Sequence, residues 1–458
     1  MVFGRVSGRV YRARSVGQIL PAAIFFLLAC SAFLYWMVNS GQLVAEKMRL
    51  TNAADAAAYS AGVVHARALN FDAYTNRAII ANQIAIAQTI SLLSWADYAV
   101  DVFCNLGPLG EAVGDTGPLA DDMQRWSALA ALAVGDAFAT YYSGGEACTE
   151  ARDAMELAND VAAGMVTMYD FVSVALAGSQ VAMHPSTATE AVLFARATEV
   201  AQRAVDATGA NMRAEVIALP GSYGAANFLR RYSGSDRTRL QGVVLDSRDS
   251  FTAARNWTVR KLADFQRHRI ERRGGTGMPD LDTWRADDSM TERWRVYRLF
   301  RGWRDRSQTV GESTVVASRD STSETSLHSY TRQFQEARYS GLPAVHDLRD
   351  LSSPSDPART SFGVSVRVSK RVGDTLTSQH AAQAGPSGRL AVFDAPGAPT
   401  SMAALARAQI LFDRPPRADG RTEYASLYNP YWQVRLVAPT AADRAFAATR
   451  QGGVALPP

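Results

Sequence analysis

Between Arg255 and Arg306 the chain interleaves guanidinium groups with aromatic rings: Arg255, Trp257, His268, Arg272, Arg273, Trp284, Trp294, Arg295, Trp303 and Arg304 all fall in one stretch. Arginine forks beside aromatic faces can grip anionic polymers or stack on bases. The same stretch carries Asp264, Glu271, Asp280, Asp282, Asp287, Asp288, Glu292 and Asp305. Local ion pairing is therefore the more economical reading than an exposed cationic stripe. If the tract does bind a ligand, Arg272, Arg273, Trp294 and Arg295 form the anionic-ligand patch, and an acidic glycan, lipid headgroup or partner protein is favoured over nucleic acid.

Other chemistries lack their residues. A phosphate cradle needs a glycine-rich turn ending in lysine, and no GxxxxGK[ST] occurs; the six histidines, at 65, 184, 268, 328, 346 and 380, show no HExxH spacing. GlySerTyrGly at 221–224 lacks the residue that a GxSxG nucleophile elbow places before its serine, and it reads as a turn. A metal-dependent adhesion site would place Asp-x-Ser-x-Ser at a strand end, as hard oxygen ligands for a divalent cation. In 246–250 Arg248 occupies the first hydroxyl position, and 320–323 and 350–353 also break the spacing, so all three read as turns or helix caps. The expectation is a non-enzyme without metal or cofactor.

Bulk properties are ordinary. A net charge of +4 does not announce nucleic acid, and the cations are nearly all arginine, with only Lys47, Lys261 and Lys370 as lysines. Of the three cysteines, Cys30 sits in an apolar run, whereas Cys104 and Cys148 follow it. In an oxidising compartment those two could close a disulfide contributing a few kcal/mol; the alternative is two buried free thiols.

These residues must be positioned by elements that begin with a membrane helix. Residues 15–45 contain no charge, and residues 19–38 are almost wholly apolar, enough to span a bilayer as a helix. Arg5, Arg9, Arg12 and Arg14 precede this run without an acidic neighbour, which places the N-terminus in the cytoplasm by the positive-inside bias. Tyr35 and Trp36 suit the outer headgroup belt. A cleaved secretory signal would have a shorter core and a small-x-small site, so a retained anchor is preferred. Pro21 either opens this helix, where its missing donor costs little, or kinks a slightly longer one.

Beyond the anchor, apolar residues recur three or four apart from Leu43 to about Trp95, predicting one long helix. Glycine and proline in 106–118 mark a loop. Helical periodicity resumes over 121–142 and 149–181, and Thr187 with Glu190 predicts a capping box that opens a helix running to about Arg213. Four helices around one core follow. After 219–222 the texture changes, with β-like runs at 240–245, 313–318, 361–369, 389–393 and 430–437, a short helix at 401–410 and a connector at 351–359. The predicted fold is α+β: a basic cytoplasmic tail (1–14), a transmembrane helix (15–42), an extended helix and α-helical bundle (43–215), an Arg/Trp-rich α+β region (216–350) and a β-rich C-terminal region (351–458).

The segment Gly17-Gln-Ile-Leu-Pro21, the apolar helix, and then Met48-Arg-Leu-Thr-Asn52-Ala-Ala-Asp55-Ala-Ala-Ala58 resemble the TadE/TadG-like tight-adherence (Flp-type) pilus assembly family. Residues 70–83 and 427–436 look like parts of long TadG-related proteins. The resemblance implies a pilin-like membrane helix, with Pro21, Phe25, Phe26, Leu34, Trp36, Asn52 and Asp55 in anchoring and packing. It also implies a structural or assembly role in a bacterial inner-membrane, type IV pilus-like machine, with the bulk of the chain periplasmic and no enzymatic activity. The partners would be the lipid bilayer, other pilus or secretion-system subunits and, through small residues on the N-terminal helix, a second copy of the chain. Processed prepilins carry Glu at the fifth mature position, where counting from Gln18 gives Ala22. This departure supports an uncleaved anchor, and the missing von Willebrand-type metal motif removes the simplest route to a binding function for the outer domain. An envelope adhesin using the Arg/Trp tract is the competing function.

Overall fold

Helix α1 runs without interruption from Ile19 to Leu106, 88 residues, in the computed structural model of the chain. At 1.5 Å per residue it is about 130 Å long. No proline follows Pro21 within it, and alanine, the strongest helix former, recurs through 53–61. The structure describes residues 19–106, 146–183, 189–217, 228–263, 266–298, 302–319, 331–333, 339–349, 360–371, 374–375, 401–415, 418–420 and 423–450. The expected cytoplasmic tail, the 121–142 helix, the Thr187 cap, the turn at 221–224, the connector at 351–359 and the strand at 389–393 lie outside them.

Two further long helices, α2 (Glu146–Met183) and α3 (Thr189–Thr208), flank α1. Strand β1 (Met212–Ile217) joins β9 (Ser361–Arg371), β10 (Ser401–Phe412) and β11 (Trp432–Val437) in an antiparallel sheet of order β1-β9-β10-β11. One core lies between this sheet, α3 and the near half of α1. It is built from Leu50, Ala53, Ala54, Ala57, Ala58 and Ala61 of the helix against Val364, Val366, Val368, Ala404, Ala406, Ala408 and Ile410. The approach is close. A Cβ on Gly62 would meet Val434 Cγ1 at 2.7 Å, so a side chain there would push helix and sheet apart.

The far half of α1 meets a second sheet. After β2 (Leu229–Tyr232), a 3-10 turn and the helices α4 (Thr238–Asp246) and α5 (Ser250–Ala253), four antiparallel strands follow: β3 (Trp257–Ala263), β4 (Gln266–Gly277), β5 (Thr283–Arg298) and β6 (Gly302–Ser318). β7 (Thr331–Gln333) adds in parallel to β6, and β8 (Val345–Leu348) pairs with β2. Trp284, Ala286, Val315 and Ala317 form a core with Ile79, Ile86, Ile90 and Leu93 of α1 and with α2. A Cβ on Gly311 would lie 2.7 Å from the Val102 backbone nitrogen, which again records close packing. Helix α6 (Ala441–Thr449), opened by a Thr440–Asp443 capping box, closes the described chain.

The α+β class and the long N-terminal helix agree with the sequence reading, and three element expectations are corrected. Residues 240–245 are helical within α4. The buried side chains Leu240 and Val244 are four apart on one helix face, a spacing that a short apolar run does not distinguish from a strand. Residues 401–410 are strand, not helix. Their alanines favour a helix locally, yet Ala404, Ala406, Ala408 and Ile410 are buried with period two, and β9 supplies the hydrogen bonds. Helix α3 stops at Thr208 instead of near Arg213: Gly209 and Asn211, the latter at φ 62°, turn the chain so that Met212 and Arg213 enter β1.

Candidate functional site: the anchor helix and its seat

The first turns of α1 make no core. Phe25 is 75% exposed, Phe26 71%, Leu34 55% and Trp36 65%, and the apolar run has no acidic or basic side chain. Pro21 lies within the first described turn, and Phe33 and Trp36 stack with ring centroids 6.2 Å apart. This end of α1 is long and apolar enough to cross a membrane. Twenty residues rise about 30 Å, matching a bilayer's hydrocarbon core.

Where the run ends, charge fixes the helix to the head. Glu46 is 2% exposed and pairs with Lys370 of β9 at 2.7 Å and with Arg49 at 3.0 Å. Lys47 donates to the Ala403 carbonyl of β10 at 2.7 Å. A buried pair of this kind contributes little net stability against an apolar substitute, but removing one partner strands a charge. It thus fixes the register of the helix on the sheet.

The Asn52–Asp55 signature follows within two turns. Ala53, Ala54, Ala57 and Ala58 are fully buried against the sheet, whereas Asn52 is exposed and Asp55 half-buried, its carboxyl raised above the ordinary 3.8 by desolvation. The alanine doublets are therefore packing residues.

Further along, side-chain amides of α1 hold distant chain segments by their backbones. Asn70 donates to the Trp432 carbonyl at 2.9 Å and accepts from the Trp432 N–H at 3.0 Å. Asn76 donates to the carbonyls of His346 at 2.9 Å and Leu427 at 2.8 Å, and it accepts from Gln180 of α2 at 2.6 Å. Arg77 donates to Asn429 at 3.1 Å. Gln83 accepts from Trp284 Nε1 at 3.1 Å and from the Tyr339 hydroxyl at 2.9 Å. Asp347, raised by burial and opposed by the guanidinium of Arg239, accepts from Leu427 N at 3.0 Å beside this row. The two stretches singled out in the sequence, 70–83 and 427–436, thus meet in space. Sequence reasoning missed the amides as a set; the available signal was Asn70, Asn76 and Gln83 recurring along one long helix.

The Arg/Trp tract becomes the β3–β6 sheet. Arg272 is buried, 3.5 Å from Asp288 and over the Tyr98 ring at 4.8 Å. Arg255 grips the same carboxylate through two nitrogens, at 2.9 and 2.6 Å. Arg273 is exposed beside Glu271, and Arg295 pairs with Asp305 in solvent. By strand alternation Arg272 and Trp294 face α1, while Arg273 and Arg295 face outward, so the four residues do not share a surface. Asp249, from the broken adhesion-site spacing, caps α5: burial raises its carboxyl, but hydrogen bonds from Gln88 and from Thr252 outweigh this and hold it at about 2. The 320–323 and 350–353 motifs, and the side chains of Cys104 and Cys148, lie outside the described residues. Among the described residues no group of three or more His, Cys, Asp or Glu converges as a metal site.

Residues 17–68 match the family model described as Tad, putative Flp pilus-assembly TadE/G-like. The match covers the exposed apolar turns, the Glu46 seat and the alanine doublets, and it ends just before Asn70. It supports a role in pilus assembly, with other pilus subunits as the implied partners. No curated protein and no solved structure matches the chain.

Proposed function

We propose that this chain is a structural, non-enzymatic component of a tight-adherence, type IV pilus-like machine. In this reading it is held in the bacterial inner membrane by a single pass of α1, with the N-terminus cytoplasmic and the head in the periplasm. The pilin-like helix packs laterally with like helices, in the membrane or at a filament base or tip, while the head meets other assembly proteins. The carrying observation is that one rigid helix joins an exposed apolar run to a head seated on it from Glu46 onward, within the segment that matches the pilus-assembly family. Such a helix fixes the head relative to the bilayer.

The test is made in the native cell. Alkaline carbonate should leave the protein in the membrane pellet, and a C-terminal tag should be digested by protease added to spheroplasts. A photo-crosslinker at Phe26 should capture pilus subunits or a second copy. Extraction by carbonate, or a deletion strain with unchanged surface pili, would reject the proposal.

A further inference from the structure

The outward face of the β3–β6 sheet carries an arrangement that folding alone does not require. The strand register places Arg260 of β3 opposite Arg269 of β4, and Arg269 opposite Arg293 of β5. Three guanidiniums therefore stand in one row across three strands, with neighbouring Cβ atoms about 4.5–5.5 Å apart, a placement in which like charges oppose pairing. All three are exposed. Arg269 has Glu271 of its own strand as partner, whereas Arg260 and Arg293 have no ion pair to a described residue. Arg295 and Trp303 lie on the same face by two-residue alternation, Trp303 being 55% exposed. Residues 303–309 are exposed on both faces, so this end of the β5–β6 hairpin stands clear of the body.

We propose that this face is a binding surface for an acidic polysaccharide, with Arg260, Arg269 and Arg293 on successive carboxylates and Trp303 against a sugar ring. A uronate chain carries one carboxylate per sugar, a repeat comparable to the strand spacing, and each carboxylate suits a guanidinium fork. Asp305, exposed on the same face, would accept from sugar hydroxyls but would repel the denser charge of a phosphodiester backbone. The repulsion within the row is relieved when the anion is bound. The surface is independent of the anchor and adds a ligand to an assembly role.

The test uses the detergent-solubilised full chain with polygalacturonate as probe and neutral dextran as control. Polygalacturonate should bind, and its binding should weaken as salt rises past about 0.1 M, where the screening length is about 10 Å. R260Q/R293Q should weaken binding at least about tenfold without lowering the melting temperature, since neither side chain has an ion pair to a described residue to lose. R304Q/R306Q removes the same charge from the opposite face of the hairpin and should change binding less than about twofold. Equal loss in both double variants, or no binding by the wild type, would overturn the proposal. Tighter binding of charge-matched single-stranded DNA, lost on R260Q/R293Q, would overturn the polysaccharide assignment.

Discussion

Residues 19–38 and 50–69 belong to one helix and are both rich in apolar residues, yet they meet different surroundings. The first stretch is built from Phe, Leu, Ile and Trp and stands exposed; the second presents Ala53, Ala54, Ala57, Ala58 and Ala61 to the sheet and is buried. Charge and side-chain size both separate them: the second stretch carries Asp55 and Arg67, for which the first has no counterpart, and its buried face is mostly alanine. Lipid tails accommodate large side chains without shape complementarity, whereas here the β1-β9-β10-β11 sheet comes close to a helix face reduced largely to methyl groups. Glu46 and Lys370 mark the crossing point.

The comparison breaks most readily at that crossing. Lys370→Ala leaves the buried Glu46 with only the exposed Arg49 as partner, and the head of the purified chain should lose about 3 kcal/mol in denaturant unfolding, the low end for a broken buried pair. Next come matched substitutions in the two stretches. Ala57→Leu overpacks the helix–sheet contact and should cost about 1–3 kcal/mol. Phe26→Ala should leave the head's melting unchanged, and equal effects would erase the distinction.

Asn70→Ala strips the Trp432 backbone of a donor and an acceptor. It should cost about 1–2 kcal/mol and raise hydrogen exchange first at β11. The smallest effect concerns pH. Asp249 is held at about 2 in the folded chain against an ordinary 3.8, so the stability it contributes is present above 3.8 and is lost as pH falls toward 2. Asp249→Asn should lower the melting temperature at neutral pH and leave it little changed near pH 2, so that the fall across that window flattens.

The α+β class, the long apolar N-terminal helix and the strands at 313–318, 361–369 and 430–437 were legible because each shows in local periodicity. Residues 401–412 were not: an alanine-rich stretch prefers helix until β9 and β11 flank it. Nor could spacing tell that Arg272 turns inward to Asp288 while neighbouring Arg273 faces solvent. That assignment follows from strand alternation, which requires knowing that the tract is a sheet. The row Arg260, Arg269 and Arg293 is invisible in sequence for the same reason, since its members lie on three strands.

By itself the sequence determined where an uncharged run long enough to cross a bilayer lies, and that a helix continues beyond it, because both properties depend on neighbours within a few residues. The tertiary structure decided which apolar face meets a sheet, which arginines are buried beside carboxylates, and which distant backbones Asn70 and Asn76 hold. Those outcomes depend on partners from 16 to 362 positions away, whose proximity is fixed only when the strands pair.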